Sequence, residues 1–205
     1  MAEQAKNPGK KKQTRRQSIV EAARKRFRTS GLEATTLDMI AADASLPRPH
    51  LYRYFKNKAD LTAAVVAAEA AEVNQRRYER VSEIDSFVDK LVVGITAAVE
   101  IVHSDPFWAS LVSPDNVPYT AYVASDDPEL TQSNEAFWRP ILEAARDQGE
   151  LRPGIDIGET MTWILGVEFM FLERREFYPN QKSAEHYART YVVPSVTGHV
   201  TNVSI

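Results

Sequence analysis

The sequence predicts an all-α protein in which an N-terminal domain of three helices, containing a helix-turn-helix, precedes a larger helical domain. Apolar residues recur at helical spacing along almost all of the 205 residues, and no alternating pattern typical of strands occurs between them. Capping residues, glycines and prolines separate the helical stretches. The charge is also divided: residues 1–58 hold fourteen Lys and Arg against five Asp and Glu, whereas the remainder holds eleven against twenty-three.

This division of charge is typical of a nucleic-acid-binding part joined to an acidic part with another role, and an incidental imbalance is the alternative. The absence of cysteine excludes disulfides, thiol redox sensors and cysteine metal sites. The four histidines lack metal-binding spacing, and no glycine-rich phosphate loop or Gly-x-Ser-x-Gly motif occurs. We therefore expect neither an enzyme nor a cofactor. The polar N-terminus and the lack of a long apolar run predict a cytoplasmic protein without signal peptide or membrane span.

The chain begins with a polar, lysine-rich stretch that we interpret as a flexible basic arm over residues 1–13. Such an arm could lie along DNA phosphates or reach into a minor groove, or it could be a solvated tail. A first helix is predicted from Thr14 to Ser30, with Ile19 and Phe27 on its inner face, and Gly31 is expected to end it.

Residues 35–55 have the pattern of two short helices joined by a tight turn. In the first, Leu37, Ile40, Ala41 and Ala44 form one apolar stripe. We expect a cap at Thr35 or Thr36. Residues 44–46 then form the turn, and Pro47 and Pro49 stand where a second helix begins, a position at which proline costs little.

The second short helix has an apolar back and a basic, aromatic front. Leu51 and Phe55 point to one side, because they are four residues apart. The other faces carry Arg48, His50, Tyr52, Arg53 and Tyr54. A helix of this kind suits the DNA major groove, so residues 35–55 are interpreted as a helix-turn-helix.

A fourth helix should follow, capped by Asn57 and supported by Asp60 three residues later, and it could continue to about Arg80. Lys58 lies in its first turn. A helix N-terminus and an ammonium group both favour a phosphate, so Lys58 is a candidate phosphate contact.

This segment resembles the DNA-binding domain of the TetR (tetracycline repressor) family from about Thr14 to Leu61. Ten positions fall into the family's register: Thr36, Ile40, Ala41, Ala44, Leu46, Leu51, Tyr52, Phe55, Lys58 and Leu61. Two positions depart from it. Ser45 replaces the usual turn glycine, which suggests a turn that does not need the most permissive backbone. Pro47 replaces the usual serine cap.

The resemblance implies a helix-turn-helix DNA-binding domain over residues 14–58 and a helical ligand-sensing and dimerisation domain over residues 59–205. We expect Arg48, His50 and Arg53 to reach base edges. Thr36, Tyr52, Tyr54 and Lys58 would position the DNA backbone. The full set of candidate DNA-binding residues is Thr36, Arg48, Pro49, His50, Tyr52, Arg53, Tyr54 and Lys58.

Beyond the fourth helix the pattern stays helical. Helices are predicted over residues 84–103, from Pro106 in a short segment, over 128–148 with Gly149 as the stop, and over 159–177. Residues 114–127 should form a long loop or a broken helix. Ser183 is expected to cap a last helix, which Pro194 must kink or end.

The stretch from Met161 to Leu172 is apolar on nearly all sides, so every side must be covered. A second copy of the chain could cover one side across a twofold axis, which agrees with the dimer interface that the resemblance implies. The alternative is a central helix buried within a monomer.

Several aromatic residues could line a ligand pocket between these helices, although each could equally belong to an ordinary core. The candidate ligand-binding residues are Phe107, Trp108, Leu111, Tyr122, Trp138, Trp163 and Glu168, with Tyr119 and Phe169 as further aromatics. His103 and Arg139 could add polar groups. Glu168 could instead pair with Arg174 or Arg175, or lie at a dimer interface.

Together these features predict a ligand-responsive transcriptional regulator, most simply a repressor. It would bind a near-palindromic double-stranded DNA operator as a homodimer and be released by a small-molecule effector. Two alternatives remain: a helix-turn-helix protein controlled by a protein partner, and an architectural DNA-binding protein without a ligand.

Overall fold

The computed structural model describes residues 8–111, 128–174 and 178–197, with side chains except at 8–13, 109–111, 129 and 173. The regular elements in these ranges are all helical, which confirms the predicted fold class. The helices are α1 Pro8–Ser30, α2 Leu37–Asp43, α3 Arg48–Leu51, α4 Lys58–Val81, α5 Phe87–Ser104, α6 Pro106–Leu111, α7 Pro128–Asp147, α8 Ile157–Glu173, α9 Gln181–Tyr187 and α10 Val193–Thr197. Each described helix is too short or too polar to cross a membrane.

The first helix begins earlier than the sequence predicted. α1 starts at Pro8 rather than Thr14, so residues 8–13 are helical and the prediction of a flexible arm is wrong for them. A proline is well suited to the first turn of a helix, where its missing N–H would have no intrahelical partner. The helix ends where predicted, at Gly31, whose φ of 80° is in the left-handed region.

The turn between α2 and α3 corrects the interpretation of Ser45. Its φ is 52°, so the backbone does adopt the left-handed conformation that glycine favours. The prediction that this turn needs no permissive residue is therefore wrong. Two backbone hydrogen bonds close the turn, from the Ser45 N–H to the Ala42 carbonyl (3.0 Å) and from the Leu46 N–H to the Ala41 carbonyl (2.8 Å).

α4 connects the two parts of the molecule. Its N-terminus is capped by Asn57, whose side-chain oxygen accepts from the Asp60 N–H at 2.8 Å, as predicted. The Asp60 carboxylate accepts from the Lys56 N–H. A single hydrophobic cluster runs from Ile19 in α1 through α4 to Trp108 in α6. The core of the N-terminal domain therefore continues beyond residue 58.

The second hydrophobic cluster lies farther along the chain and joins α5, α7, α8 and the C-terminal helices. α5 begins at Phe87, after the cap Ser86, rather than at residue 84. α7 is followed by Gly149, whose φ of 73° agrees with its predicted role as the stop. α8 ends at Glu173 rather than at residue 177, because the Arg174 cap has left the helical conformation.

The last helical segment is capped by Asn180 rather than Ser183. The Asn180 side chain accepts from the Ser183 N–H, and the Ser183 hydroxyl oxygen accepts from the Asn180 N–H. The two hydrogen bonds together make a capping box. Residues Ala188–Val192 form a π-type turn ahead of Pro194. A proline ring clashes with the carbonyl four residues earlier, and the wider turn accommodates the ring, so that helical structure continues through Pro194 to Thr197.

Because Ser45 holds a left-handed conformation that costs an L-residue about 1 kcal/mol or more, Ser45→Gly should raise the free energy of unfolding by about 0.5–1 kcal/mol. Urea denaturation at a fixed protein concentration measures the change. Ser45→Ala, which keeps the Cβ, is the control and should not share the gain. A neutral or destabilising Ser45→Gly would contradict the assigned strain.

Candidate DNA-binding surface and effector cavity

The helix-turn-helix exposes most of the residues predicted to meet DNA. Leu51 and Phe55 are buried in the N-terminal core, as expected from their spacing. Their burial fixes the orientation of α3 and leaves its other faces outside. The exposed residues of this surface are Thr36, Arg48, Pro49, His50, Tyr52 and Arg53.

Arg48 is held in place by its neighbours. Its Nε lies 2.9 Å from Oδ1 of Asp38 in α2, and its Nη2 donates to the Tyr52 hydroxyl at 3.3 Å. The Tyr52 ring centroid is 5.8 Å from the guanidinium carbon. Arg53 and His50 make no side-chain hydrogen bond or ion pair with the described residues, so their polar groups are available to a ligand.

Thr36 and Lys58 lie at the edge of this surface, and both make hydrogen bonds that stabilise the local backbone. The Thr36 hydroxyl oxygen accepts from the Met39 N–H at 3.3 Å and caps α2, which leaves its proton for a phosphate. The Lys58 ammonium donates to the Leu32 carbonyl at 2.6 Å, bracing the loop after α1. A phosphate contact by Lys58 therefore stays a prediction. Tyr54 is half-buried against the N-terminal core.

A cavity of about 790 Å³ lies between α4, α5, α7 and α8. This is the size of a site for a small organic molecule. Most of its wall is apolar: Val66, Ala70, Val73, Ala98, Val102, Trp108, Leu130, Met161, Leu165, Phe169 and Leu172. The polar residues of the wall are Asn74, Arg77, Thr131, Asn134, Glu135, Thr162 and Glu168. Thr162 and Gly166 are exposed, so the cavity opens to the surface along α8.

A buried arginine organises the polar end of the cavity. Arg77 is 2% exposed, and its Nε donates to the Gly94 carbonyl at 2.9 Å. One Nη group donates to the Asn74 side chain at 2.8 Å, and the other donates to Glu168. The guanidinium also lies 4.0 Å from the ring centroid of Phe137 and 5.1 Å from that of Trp138.

The Arg77–Glu168 pair is an ionic pair removed from water. Burial raises the pKa of Glu168 to about 7, although Arg77 opposes that shift. Burial also lowers the pKa of Arg77. The Trp138 indole N–H is buried without a well-formed hydrogen bond, but it lies near enough to Glu168 to favour the ionised carboxylate. Both charged groups depend on this small set of contacts.

The structure brings only some of the predicted ligand-binding residues to the cavity. Trp108, Phe169 and Glu168 line it. Phe107 does not, because its ring packs under the Arg28 guanidinium at 4.8 Å. Trp163 is 43% exposed on the outer side of α8, and its assignment to the cavity is wrong.

Trp138 is fully buried behind the cavity wall and fills space against α5, where Gly94 leaves room for its ring. His103 interacts with the Leu172 carbonyl, and Arg139 pairs with Glu135, so neither supplies the predicted polar group. Glu168 pairs with Arg77 rather than with Arg174, and Arg175 lies outside the described residues. Tyr119, Tyr122 and the side chain of Leu111 lie outside the described residues.

Sequence reasoning missed Arg77 and Asn74, the residues that hold Glu168 in place. A signal was present. Val66, Ala70, Val73 and Arg77 recur at i, i+4, i+7 and i+11, which places a charged residue on the apolar inner stripe of α4. A charge at such a position needs a buried partner, and Glu168 on the most apolar helix is the matching acid.

An ion cluster links α1 to the cavity side of the molecule. The buried carboxylate of Glu69 in α4 lies 3.0 Å from Arg24 and 2.6 Å from Arg28. Arg28 also pairs with Asp105 at 2.9 Å, at the junction between α5 and α6. Trp108, which lines the cavity, lies one helical turn beyond Asp105. A continuous set of contacts therefore joins the cavity wall to the helix that braces the helix-turn-helix.

Comparison with known proteins agrees with these features. The family profile described as "Bacterial regulatory proteins, tetR family" matches residues 19–65. YhgD of Bacillus subtilis (strain 168), an uncharacterized HTH-type transcriptional regulator, is 30% identical over 139 residues, which are 68% of this chain and 73% of that protein. The chain belongs to the TetR family. It is thus a helix-turn-helix transcriptional regulator.

Solved structures share the fold of this TetR-family protein. RolR in complex with resorcinol aligns with a TM-score of 0.72 at 15% identity, over 92% of this chain and 90% of that chain. FadR from Bacillus subtilis in complex with stearoyl-CoA aligns with a TM-score of 0.57 at 18% identity, over 89% and 98%. At these identities the likeness establishes the fold.

The raised pKa of Glu168 predicts a pH-dependent stability. Between its ordinary pKa of 4.5 and about 7, the folded protein keeps a proton that the unfolded chain has released. The resulting stabilisation is present below pH 4.5 and is lost as the pH rises towards 7. Glu168→Gln has no carboxyl group to titrate at this position. Its free energy of unfolding, measured relative to that of the wild type, should therefore increase as the pH rises, by up to about 3 kcal/mol across that window.

Urea denaturation of both proteins from pH 4.5 to 8 measures this difference. Glu135→Gln, which removes a half-buried carboxylate of the cavity wall, is the control for the loss of charge alone. Parallel pH profiles of wild type and Glu168→Gln would show that the proton is not held at Glu168.

Proposed function

We propose that this TetR-family protein is a repressor that binds a near-palindromic operator as a homodimer and is released by a small-molecule effector. The observation that carries the proposal is the position of the cavity, whose wall includes α4, the helix that also completes the N-terminal core. An effector in the cavity would thus contact an element that fixes the orientation of the helix-turn-helix. RolR and FadR, which share the fold, were crystallised with small molecules.

The exposed aromatic residues of the C-terminal part support dimerisation. Trp163 on α8 is 43% exposed, and Tyr191 in the last helical segment is 59% exposed. An added Cβ at Gly166, on the same helix as Trp163, would meet nothing within 4 Å, so a partner helix could approach closely there. Large exposed aromatic rings beside an open helix face are typical of an interface between two copies.

Two copies related by a twofold axis would present two α3 helices to DNA. Helices about one turn of DNA apart read the two halves of a near-palindrome. Arg53 and His50 are the exposed polar side chains without described partners, so we assign base contacts to them first. Arg48 must exchange Asp38 for a base, which sets its contribution below that of an unpaired arginine.

Release requires the effector to favour a geometry in which the two recognition helices no longer fit the operator. The contacts from Trp108 through Asp105 to Arg28 offer a route for this coupling. A ligand that displaces the Trp108 ring would shift the start of α6, where Asp105 pairs with Arg28 and caps the Phe107 N–H at 2.9 Å. Movement there changes the position of α1 relative to α4.

Selection of bound sequences from a random DNA pool at two salt concentrations should enrich an inverted repeat. The operator obtained then tests Arg53→Ala, which should lose about 1–3 kcal/mol of discrimination at one base pair per half-site. Arg76→Ala is the matched control, because Arg76 is an exposed arginine of α4 far along the chain from α3. It should bind the operator like the wild type.

Other outcomes of the selection favour other functions. Binding without enrichment that collapses as the salt concentration rises would leave only phosphate contacts and would favour an architectural protein. An enriched operator whose binding responds to no small molecule would favour control by a protein partner.

The proposed interface gives a separate prediction. Trp163→Glu places a charge in the dimer contact and should convert the dimer to a monomer with strongly reduced affinity for a two-half-site operator. Sedimentation velocity gives the oligomeric state. Tyr78→Glu, at an aromatic ring of α4 that is 59% exposed, is the matched control and should remain dimeric. A dimeric Trp163→Glu would place the interface elsewhere.

A further inference from the structure

We infer that the cavity takes an apolar molecule whose head group carries hydrogen-bond donors and no negative charge, an ammonium or a hydroxyl, and that the Glu168 carboxylate binds this head group. The inference rests on the proposed role of the cavity as an effector site and specifies the chemistry of the effector.

Glu168 has an acceptor that the protein leaves unused. One carboxylate oxygen accepts from Arg77, and the nearby Trp138 indole N–H makes no well-formed hydrogen bond to the other. Glu168 lines the cavity, and the unused oxygen is not among the fully buried, unpaired polar atoms. It is therefore accessible from the cavity. An unpaired carboxylate oxygen in such a place is costly, and a ligand donor removes that cost.

Arg77, in contrast, is committed to the protein. Its three nitrogens donate to Gly94, Asn74 and Glu168, and its guanidinium carbon also lies near two aromatic ring centroids of α7. An anionic head group would have to compete with these partners for a guanidinium that is 2% exposed. The Arg77 side chain thus binds to groups on four helices, and its charge is not available to a ligand.

The rest of the described wall also disfavours an anion. It holds two carboxylates, Glu135 and Glu168, against the single guanidinium of Arg77. Glu135 has its own partner in Arg139, at 2.9 Å. A coenzyme A thioester, the kind of ligand bound in the FadR structure, carries several phosphate charges, for which this wall offers no uncommitted cation. The large apolar remainder of the wall suits a hydrocarbon body.

A matched series of ligands tests the inference. Decylamine, decanol and decanoate share a ten-carbon chain and differ in head group, and isothermal titration calorimetry with the full-length protein at pH 7.5 measures their affinities. We expect decylamine and decanol to bind, and decanoate to bind at least about tenfold more weakly than decylamine, since a charge-assisted hydrogen bond contributes about 1.5–3 kcal/mol.

Two variants test whether the preference for the ammonium head group depends on the Glu168 carboxylate. Glu168→Gln keeps the size of the side chain and can still accept from Arg77, and it should weaken decylamine binding about tenfold or more while changing decanol much less. Glu143→Gln removes an equal charge from α7 outside the cavity wall, at a carboxylate that resembles Glu135 in its exposure and in lying near Arg139, and it should alter decylamine binding less than about threefold. A Glu168→Gln protein that binds decylamine as the wild type does would overturn the inference.

The outcomes separate this inference from the proposed function. Decanoate binding as tightly as decylamine would overturn the assigned ligand chemistry and leave an effector cavity in place. Failure of all three compounds to bind would overturn the apolar-ligand inference, whereas the enriched operator and the Trp163→Glu monomer would still establish the dimeric DNA-binding protein.

Discussion

The structure of the C-terminal part depends on one buried guanidinium. Arg77 joins α4 to the carbonyl of Gly94 in α5 and to Glu168 in α8, and it lies against two rings of α7. Removing one member of such a pair leaves an uncompensated buried charge, which costs about 3–5 kcal/mol, whereas a well-packed apolar replacement of both can be neutral. The pair therefore contributes more to the arrangement of the four helices than to the net stability. The same arrangement leaves the cavity open between them.

α4 connects this arrangement of helices to the DNA-binding part of the molecule. Its first half completes the core of the helix-turn-helix, with Leu61 and Val65 fully buried, and its second half carries the cavity wall. A rigid helix of 24 residues transmits a change of tilt from one end to the other. The ion cluster around Glu69 adds a second connection, which holds α1 to the middle of α4.

The sequence predicted the fold class and the helix-turn-helix well, because these depend on local features. Periodicity, the cap at Asn57 and the burial of Leu51 and Phe55 are all encoded within a few residues of where they act. The cavity was predicted poorly, because its wall is assembled from four helices whose rotation no local pattern sets. Trp108 and Trp163 look alike in sequence, yet one lines the cavity and the other is exposed. The prediction for Ser45 was wrong for a different reason. The presence of serine suggested an ordinary backbone conformation, but the helices on either side of the turn impose a left-handed one.

The ion cluster around Glu69 bears on how this regulator could be recombined with others. A hybrid repressor that exchanges residues 1–58 for those of a relative would cut through the cluster, because Arg24 and Arg28 lie on one side of the junction and Glu69 and Asp105 on the other. Glu69 is 2% exposed, so an incoming α1 without matching arginines would leave its carboxylate without a partner. A functional exchange must therefore carry the acids with the arginines, and the transferable unit is α1 to the middle of α4 together with the start of α6.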